Sequence, residues 1–226
     1  MSRGLFITAT GTSCGKTHVS RAITLAWREQ QRSVAALKPI ETGCMPRALD
    51  ATQLADDAGD AALASLPDLY RAALPLSPYA VTLETGQRAP DLPAIAARIR
   101  ELAAFHDLTV VEGAGGLLVP LDATRTIADL AQLLRYPLLL VAPDALGVLS
   151  HVLAAHECAR ARSLEVAAVI LVQTRLDSSD PSPATNQRVL AERLAAPVLR
   201  FPHTSNTPTA LIRAAHESGL VRLLGL

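Results

Sequence analysis

Short apolar runs alternate along the chain with segments in which apolar residues recur every three or four positions. The runs that predict strands are Leu5–Ala9, Ser33–Leu37, Leu108–Val111, Pro137–Val141, Val166–Val172 and Val198–Arg200. The helical patterns cover Thr17–Gln31, Asp50–Ala64, Leu92–Phe105, Leu149–Ala161 and Ala184–Leu194. The Pro- and Gly-containing stretch at 73–90 predicts a loop. Alternation of this kind predicts an α/β fold, with a mostly parallel central sheet and helices on both faces, in one domain over residues 1–226.

Composition narrows the class of partner without changing this fold prediction. Half of the residues are apolar but only 3% are aromatic, so Ala, Leu, Val and Ile must fill the core. Lysine and arginine balance aspartate and glutamate at 21 each, which argues against a nucleic-acid or anionic membrane surface. The longest apolar runs, PLLLVAP and VAAVILV, are much shorter than the ~20 residues that span a bilayer. We therefore expect neither nucleic acid nor membrane as a partner.

The cysteines, histidines and first residues favour a reducing compartment. Cys14, Cys44 and Cys158 are scattered, without a C-x-x-C pair, and the six histidines form no H-E-x-x-H motif. Neither a disulfide framework nor a zinc site is predicted. The N-terminal sequence MSRGLFITAT has no long apolar region of a signal peptide, so we expect a cytoplasmic protein.

The stretch TGTSCGKT at residues 10–17 is the first candidate for chemistry. Gly15, Lys16 and Thr17 match the end of the phosphate-binding pattern G-x-x-x-x-G-K-[ST], although Thr10 occupies the first glycine position and Gly11 follows one residue later. The stretch lies between a predicted strand and a predicted helix, where backbone N–H groups face an anion. Lys16 would neutralise the β- and γ-phosphates, and the Thr17 hydroxyl would coordinate Mg²⁺.

Two charged residues at predicted strand ends are candidates for the same site. Glu112 ends an apolar strand and is followed by Gly113, Gly115 and Gly116, which allow close approach of a ligand to the backbone. Lys38 follows the second strand at the same edge of the sheet, where ligands bind in parallel α/β proteins. Glu112 is therefore a metal-ligand candidate. Lys38 is a candidate for contact with an anionic substrate or with developing negative charge.

A further carboxylate is harder to choose from the sequence. Asp50 begins a predicted helix, where an aspartate can serve as an N-cap. Asp56, Asp57 and Asp60 follow within the same segment. Whether Asp50 or one of its neighbours, Asp56 or Asp57, is a metal ligand stays open at this point.

Together these segments resemble the dethiobiotin synthetase family. TATGTSCGKT, KPIETG, ALPLSPYAV, VVEGAGGLLVPL and DALGVLSH occur in the order and spacing of that family, and the resemblance spans Gly4 to about Val172. It implies a P-loop NTPase-like fold and an enzyme that forms the ureido ring of dethiobiotin from 7,8-diaminopelargonate, CO₂ and ATP. It also implies Mg²⁺ in the site and a homodimer.

The resemblance assigns roles to particular positions. The implied catalytic residues are Lys16 and Lys38, and the implied Mg²⁺ ligands are Thr17, Asp50 and Glu112. The implied nucleotide-binding residues are Ser13, Cys14, Gly15, Lys16, Thr17, His18, Asp50, Glu112, Gly113, Ala114, Gly115, Val172, Gln173, Pro202, His203 and Thr204. The implied substrate-binding residues are Thr12, Thr42, Gly147, Val148, Leu149 and Ser150, the last four reaching the substrate of the partner subunit.

Four residues depart from the pattern of the family that the chain resembles. Ser13 stands where many relatives carry a carboxylate, and Ser150 replaces a frequent asparagine. Val172 and Gln173 stand where many relatives carry an asparagine that reads adenine. These departures leave the phosphate, metal and lysine set intact and predict loose selection of the nucleotide base.

The alternative hypothesis is a switch or assembly ATPase of the related positioning-ATPase group. Such proteins usually carry an extra lysine early in the phosphate loop, and residues 10–14 contain none. Some also end in a membrane-binding amphipathic helix. The C-terminal stretch TALIRAAHESGLVRLLGL has apolar residues at Leu211, Ala214, Ala215 and Leu220 but only two arginines and no lysine. This composition favours packing against the sheet over membrane binding.

Overall fold

The structure, a computed structural model, describes residues 3–175 and 179–225. The ends of the predicted domain, residues 1–2 and 226, lie outside this part of the chain. The strands are β1 (Arg3–Ala9), β2 (Val34–Leu37), β3 (Ile40–Thr42), β4 (Tyr70–Ala72), β5 (Leu108–Gly116), β6 (Leu138–Pro143), β7 (Val166–Val172) and β8 (Val198–Phe201). The helices are α1 (Lys16–Glu29), α2 (Leu49–Ala58), α3 (Pro78–Thr85), α4 (Leu92–Ala103), α5 (Ile127–Leu134), α6 (Val148–Ala161), α7 (Pro183–Arg193), α8 (Pro208–Glu217) and α9 (Leu220–Leu224).

Six strands form the central sheet in the order β2-β5-β1-β6-β7-β8, and each neighbouring pair is parallel. This confirms the predicted α/β class. Strand β1 is central, with β5 on one side and β6 on the other. Connections from the carboxyl ends of neighbouring strands therefore run to opposite sides of β1 and leave a crevice there. A crevice of this kind is the usual ligand site of parallel sheets.

Both faces of the sheet are covered, as predicted. Along β1, Leu5 and Ile7 join a core cluster that contains residues of α1 and α8, whereas Phe6 joins a second cluster with residues of α4 and α5. Successive side chains of a strand point to opposite faces, and Leu5, Phe6 and Ile7 are all apolar because β1 is buried on both sides. A third cluster packs α6 and α7 against β6 and β7.

The stretch at 73–90 was predicted as a loop, which is wrong for its middle, because it contains α3. Ser77 caps this helix by accepting a hydrogen bond from Ala80 N at 3.3 Å, Pro78 is its first residue, and Gly86 ends it in the left-handed conformation. Proline at the first position and glycine after the last are helix boundary signals. Pro78 and Gly86 therefore delimit a helix here, whereas the pattern of the sequence places them in a predicted loop.

Other differences concern short elements. The helix predicted for Asp50–Ala64 ends at Ala58, because Gly59 adopts a left-handed conformation, and a 3₁₀ turn follows at Ala61–Ala64. Strands β3 and β4 form a separate two-stranded parallel sheet that the pattern did not predict. Helix α5 was also not predicted, although Asp129 accepts hydrogen bonds from Thr126 N and Oγ1 at its start.

The C-terminal helices bury the apolar residues that the sequence singled out. Leu211, Ala214, Ala215 and Leu220 are at most 1% exposed. Helix α8 packs mainly on α1 and also meets β8, so the predicted packing against the sheet is largely made through α1. Within residues 3–175 and 179–225, no helix has the length and hydropathy to cross a bilayer.

A buried ion pair joins α1 to α2. The Arg21 guanidinium donates to both carboxylate oxygens of Asp57, at 2.5 and 3.2 Å, and also to Asn206 Oδ1. Both charged side chains are less than a tenth exposed. Because the pair is buried, either charge would be left uncompensated if its partner were removed.

We expect Asp57→Ala to lower the free energy of unfolding by about 3–5 kcal/mol, since it leaves the Arg21 charge buried without its carboxylate. The neighbouring Asp56→Ala is the matched control, because Asp56 is exposed. Urea unfolding monitored through Trp27 measures both variants. Equal midpoints for the two would show that the buried pair adds little to stability.

Candidate active site

The loop between β1 and α1 has the backbone conformation of an anion-binding turn. Thr10 N donates to Val141 O at 3.0 Å, which joins the start of the loop to β6. Gly15 has φ 92°, and a Cβ atom there would lie 2.8 Å from the Val172 side chain. No side chain caps the start of α1, so its first N–H groups remain available to a ligand. Lys16 Nζ donates to Gly11 O at 3.0 Å, across the mouth of the loop.

Three elements bring Thr17, Lys38 and Glu112 together beside this loop. Thr17 lies in the first turn of α1, Lys38 follows β2, and Glu112 lies in β5. Glu112 Oε1 accepts a hydrogen bond from Thr17 Oγ1 at 2.9 Å and lies 3.1 Å from Lys38 Nζ. The Lys38 ammonium also pairs with Asp50. These contacts link the phosphate loop to the two carboxylates that the sequence proposed as metal ligands.

The two lysines of the site differ in their electrostatics. For Lys38, burial alone would lower the pKa of the ammonium group, but the carboxylates of Glu112 and Asp50 outweigh burial and raise the pKa above its ordinary value. For Lys16, burial is the largest influence and lowers the pKa, while Glu112 opposes it. Lys38 is therefore held as a cation, and Lys16 is buried without an equally close carboxylate.

The donors fit a hard divalent cation. Glu112 is completely buried, and its Oε2 atom has no hydrogen-bond partner. An orphaned carboxylate oxygen in such a position calls for a cation or a water. Among the described residues, no group of three His, Cys, Asp or Glu side chains could hold a metal. Mg²⁺ is usually bound by one or two carboxylates together with phosphates and water, and the set of Thr17, Asp50 and Glu112 matches that chemistry.

The structure separates the aspartates that the sequence left as alternatives. Asp50 is the second residue of α2 and faces Lys38. Asp57 is paired with Arg21, and Asp56 is exposed. The residue at the N-cap position is Ala48, so the interpretation of Asp50 as an N-cap is wrong. Of the three, only Asp50 lines the same cavity as the phosphate loop.

Another part of the cavity wall is formed by the end of β7 and by the residues that follow β7 and β8. Gln173 N donates to Phe201 O at 3.0 Å, which joins the two chain segments. The His203 ring lies beside Gln173, with Nδ1 3.2 Å from Gln173 O. Burial is the main cause that lowers the pKa of nearby His18, and the charges of Arg21 and His203 act in the same direction. Val172 presents an apolar side chain that is 5% exposed.

One cavity of about 820 Å³ collects most of the predicted site residues. Those that line it are Thr12, Ser13, Cys14, Gly15, Lys16, Thr17, His18, Lys38, Thr42, Asp50, Glu112, Ala114, Gly115, Val172, Gln173, Pro202, His203 and Thr204. The volume suits a nucleotide with a second small substrate. The parallel strand ends explain the convergence, because distant segments of the chain reach the same edge of the sheet.

Five predicted residues do not line this cavity. Gly113 is buried within β5, where a Cβ atom would lie 3.1 Å from the Phe6 ring, so its local role is close packing. Gly147, Val148, Leu149 and Ser150 form the start of α6, at the far side of β6. Gly147 has φ 91°, and Ser150 Oγ donates to Gly147 O at 3.2 Å. These four residues are not brought to the cavity of their own chain.

Other residues line the cavity but were not predicted as site residues. They are Glu41, Gln53, Pro75, Leu76, Ser77, Pro78, Val119, Thr174, Phe201 and Asn206. Glu41 belongs to KPIETG and the Pro75–Pro78 segment to ALPLSPYAV, so both lay inside segments already singled out. No pattern in the sequence indicates that β3 and the start of α3 line the same cavity as the phosphate loop.

Comparisons with known proteins agree on one family. A family profile described as an AAA domain matches residues 3–206. The ATP-dependent dethiobiotin synthetase BioD of Frankia casuarinae (strain DSM 45818 / CECT 9043 / HFP020203 / CcI3) is 40% identical over 168 residues, which cover 74% of this chain and 70% of the relative. The protein of the same name from Anaeromyxobacter sp. (strain K) is 41% identical over 192 residues, 84% of either chain.

Among solved structures, the septum site-determining protein MinD from Pyrococcus horikoshii OT3, complexed with Mg-ADP, aligns with a TM-score of 0.60 at 18% identity. The alignment covers 100% of this chain and 98% of that one. At this level of identity the likeness concerns the fold alone. It supports the assignment of the chain to the P-loop α/β architecture.

We expect ATP, GTP and CTP to bind within roughly tenfold of one another, a difference of ~1.4 kcal/mol. The reason is that the loop backbone and Lys16 are expected to contact the phosphates and not the base, and rejection of a wrong base needs a polar group matched to its edge. Val172 offers no such group, and Gln173 Oε1 lies 3.5 Å from His203 N. Calorimetry with non-hydrolysable analogues measures the three affinities.

The control for this prediction is Gln173→Ala. If Gln173 does not read the base, the variant retains the same ratio of affinities. A preference for ATP above about a hundredfold, or ~2.8 kcal/mol, would contradict loose selection. Loss of that preference in the variant would identify Gln173 as the base-reading group.

Proposed function

This chain belongs to the ATP-dependent dethiobiotin synthetases, and we propose that its cavity closes the ureido ring of dethiobiotin from 7,8-diaminopelargonate, CO₂ and ATP. It is an ATP-dependent ligase of biotin biosynthesis. The observation that carries the proposed chemistry is the contact of Glu112 with both Thr17 and Lys38 beside the phosphate loop. This contact supports a site in which a metal ion and the Lys38 ammonium both lie close to a bound γ-phosphate.

The proposed reaction has three steps and needs no side-chain nucleophile. One amine of the diamine adds to CO₂, loses a proton and becomes a carbamate. A carbamate oxygen attacks the γ-phosphorus as the bond to the β–γ bridging oxygen breaks, which gives ADP and a carbamic–phosphoric anhydride. The second amine attacks the anhydride carbonyl, loses a proton and expels phosphate as the ring closes. Catalysis of this kind depends on positioning and on stabilisation of negative charge.

In this proposal, Lys16 and the loop backbone bind the β- and γ-phosphates, because Lys16 spans the mouth of the loop. Lys38 meets the negative charge that develops on the transferred phosphoryl group and on the carbamate, since its raised pKa keeps it charged. Thr17, Asp50 and Glu112 would hold Mg²⁺, which would neutralise charge on the phosphate oxygens when bound. Thr42, which lines the cavity near Lys38, would bind the diamine with Thr12.

Nucleotide binding is assigned to the loop residues and to the part of the cavity wall formed after β7 and β8. Ser13 to His18 would surround the phosphates, together with Ala114 and Gly115. The residues after β7 and β8 would border the base. The single domain over the whole chain and a cytoplasmic location are part of the proposal.

The rival hypothesis of a nucleotide switch is less well supported. The fold likeness to MinD concerns architecture alone, whereas the relatives at 40 and 41% identity carry the name of the synthetase. Residues 10–14 also contain no lysine. Phosphate release separates the two hypotheses, because the synthetase requires diaminopelargonate with bicarbonate and the switch requires a protein partner.

We expect Lys38→Ala to abolish synthesis while nucleotide affinity stays close to that of the unchanged chain. The reason is that Lys38 pairs with Glu112 and Asp50 and lies outside the phosphate loop. Lys16→Ala is the contrast, and we expect it to weaken nucleotide binding by roughly 10- to 100-fold, because it loses a charge-assisted contact worth about 1.5–3 kcal/mol. Calorimetric titration and product assays give both values. A large loss of affinity in Lys38→Ala would move Lys38 to the nucleotide site.

We also infer that the enzyme is a homodimer in which the start of α6 of one subunit, Gly147 to Ser150, borders the diamine site of the other. The support is that Gly147 and Ser150 are exposed and Leu149 is partly exposed, yet the segment does not line the cavity of its own chain. We expect light scattering to give twice the chain mass, and Leu149→Arg to raise KM for the diamine without changing nucleotide affinity. An active monomer would contradict the inference.

A further inference from the structure

Glu41 is a buried carboxylate whose two oxygens both point at the start of a helix. It lies in β3 and is 6% exposed. Glu41 Oε1 accepts a hydrogen bond from Asp50 N at 3.1 Å, and Oε2 accepts one from Ala51 N at 2.9 Å. These two N–H groups belong to the first turn of α2. The N–H groups of a first turn have no acceptor within their own helix.

Helix α2 lacks a cap of its own. The residue at its N-cap position is Ala48, with φ −72° and ψ 95°, and no side chain next to it in sequence accepts a hydrogen bond from the first turn. Serine, threonine, aspartate or asparagine normally provides this acceptor. Here a carboxylate from another strand does so instead, and its negative charge also suits the positive end of the helix.

The position of Glu41 is itself fixed by the small sheet. Glu41 is opposite Arg71 in the β3–β4 ladder. The Arg71 guanidinium donates to Lys38 O at 3.0 Å and to Ala64 O at 3.1 Å. Strand β4, the ladder partner of the strand that carries Glu41, is thus hydrogen-bonded to the backbone of Lys38. The small sheet therefore contacts both Lys38 and the start of α2.

We propose that Glu41 is a positioning residue for Asp50, which it holds opposite Lys38 and Glu112 by capping α2. This inference rests on the proposed role of Asp50 as a Mg²⁺ ligand. The Asp50 side chain is 37% exposed, so packing does little to restrain it. Its location depends on the backbone of the first turn of α2, and that turn is anchored by Glu41.

The central variant is Glu41→Ala, which removes both acceptors. Mg²⁺ affinity is measured by calorimetry in the presence of a non-hydrolysable ATP analogue, and nucleotide affinity is measured separately with EDTA. We expect Mg²⁺ affinity to fall about 10- to 100-fold, as it does when partners of metal ligands are removed. We expect nucleotide affinity in EDTA to be unchanged, because the Glu41 carboxylate oxygens accept hydrogen bonds from the first turn of α2 and not from the phosphate loop.

A second substitution tests whether the effect passes through the helix cap. Ala48→Ser places a local acceptor at the N-cap of α2, where the backbone is already extended. The double variant Glu41→Ala/Ala48→Ser should recover most of the Mg²⁺ affinity. Failure of the double variant to recover it would overturn a role through the cap. If Glu41→Ala does not fold, the milder Glu41→Gln takes its place. This variant keeps one acceptor, so we expect an intermediate loss of Mg²⁺ affinity.

Two controls separate this inference from the proposal on which it rests. Thr52→Ala removes a side chain of α2 that bonds only to Ala48 O, at 2.6 Å, and should leave Mg²⁺ affinity unchanged. Asp50→Asn tests the metal role directly, and unchanged Mg²⁺ affinity in this variant would refute the proposed function of Asp50. If Asp50→Asn weakens Mg²⁺ binding but Glu41→Ala does not, the positioning role of Glu41 is wrong. A rise in KM for the diamine alone in Glu41→Ala would instead identify Glu41 as a substrate contact.

Discussion

The arrangement of the site depends on one completely buried carboxylate, that of Glu112. Removing a carboxylate from water costs several kcal/mol unless a countercharge and hydrogen bonds compensate. The compensation comes from Lys38 and from the Thr17 hydroxyl, which belong to different elements. Strand β5, the end of β2 and the start of α1 are therefore held in one relative position. Loss of the Lys38 ammonium would leave the Glu112 carboxylate buried without its countercharge.

The order of the strands explains why these groups can meet. In the central sheet, β5 lies between β2 and β1, so Glu112 is on the strand between the one that Lys38 follows and the one that leads into the phosphate loop. All three strands are parallel, and their carboxyl ends are at the same edge. Residues 95 positions apart in sequence, Thr17 and Glu112, thus come within hydrogen-bond distance.

A second buried carboxylate, that of Glu41, lies behind Asp50, at the start of α2. Its two oxygens accept hydrogen bonds from the first turn of the helix that carries Asp50. Lys38 is consequently contacted by one acid from the central sheet and one from a helix that the small sheet anchors. The raised pKa of Lys38 reflects this placement, since both carboxylates favour its charged form despite burial.

The sequence by itself determined the α/β class and most of the residues that line the cavity, because apolar runs and the GKT motif are local features whose meaning depends on neighbours in the chain. It singled out Lys16 from the GKT motif, and Lys38 and Glu112 from their places at strand ends. It did not reveal α3, since Pro78 and Gly86 delimit a helix there with the same residues that elsewhere break one. Nor did it choose among Asp50, Asp56 and Asp57 or identify Glu41. Those choices depend on which side of α2 faces β2 and on how the two-stranded sheet packs against that helix, and only long-range contacts decide such geometry.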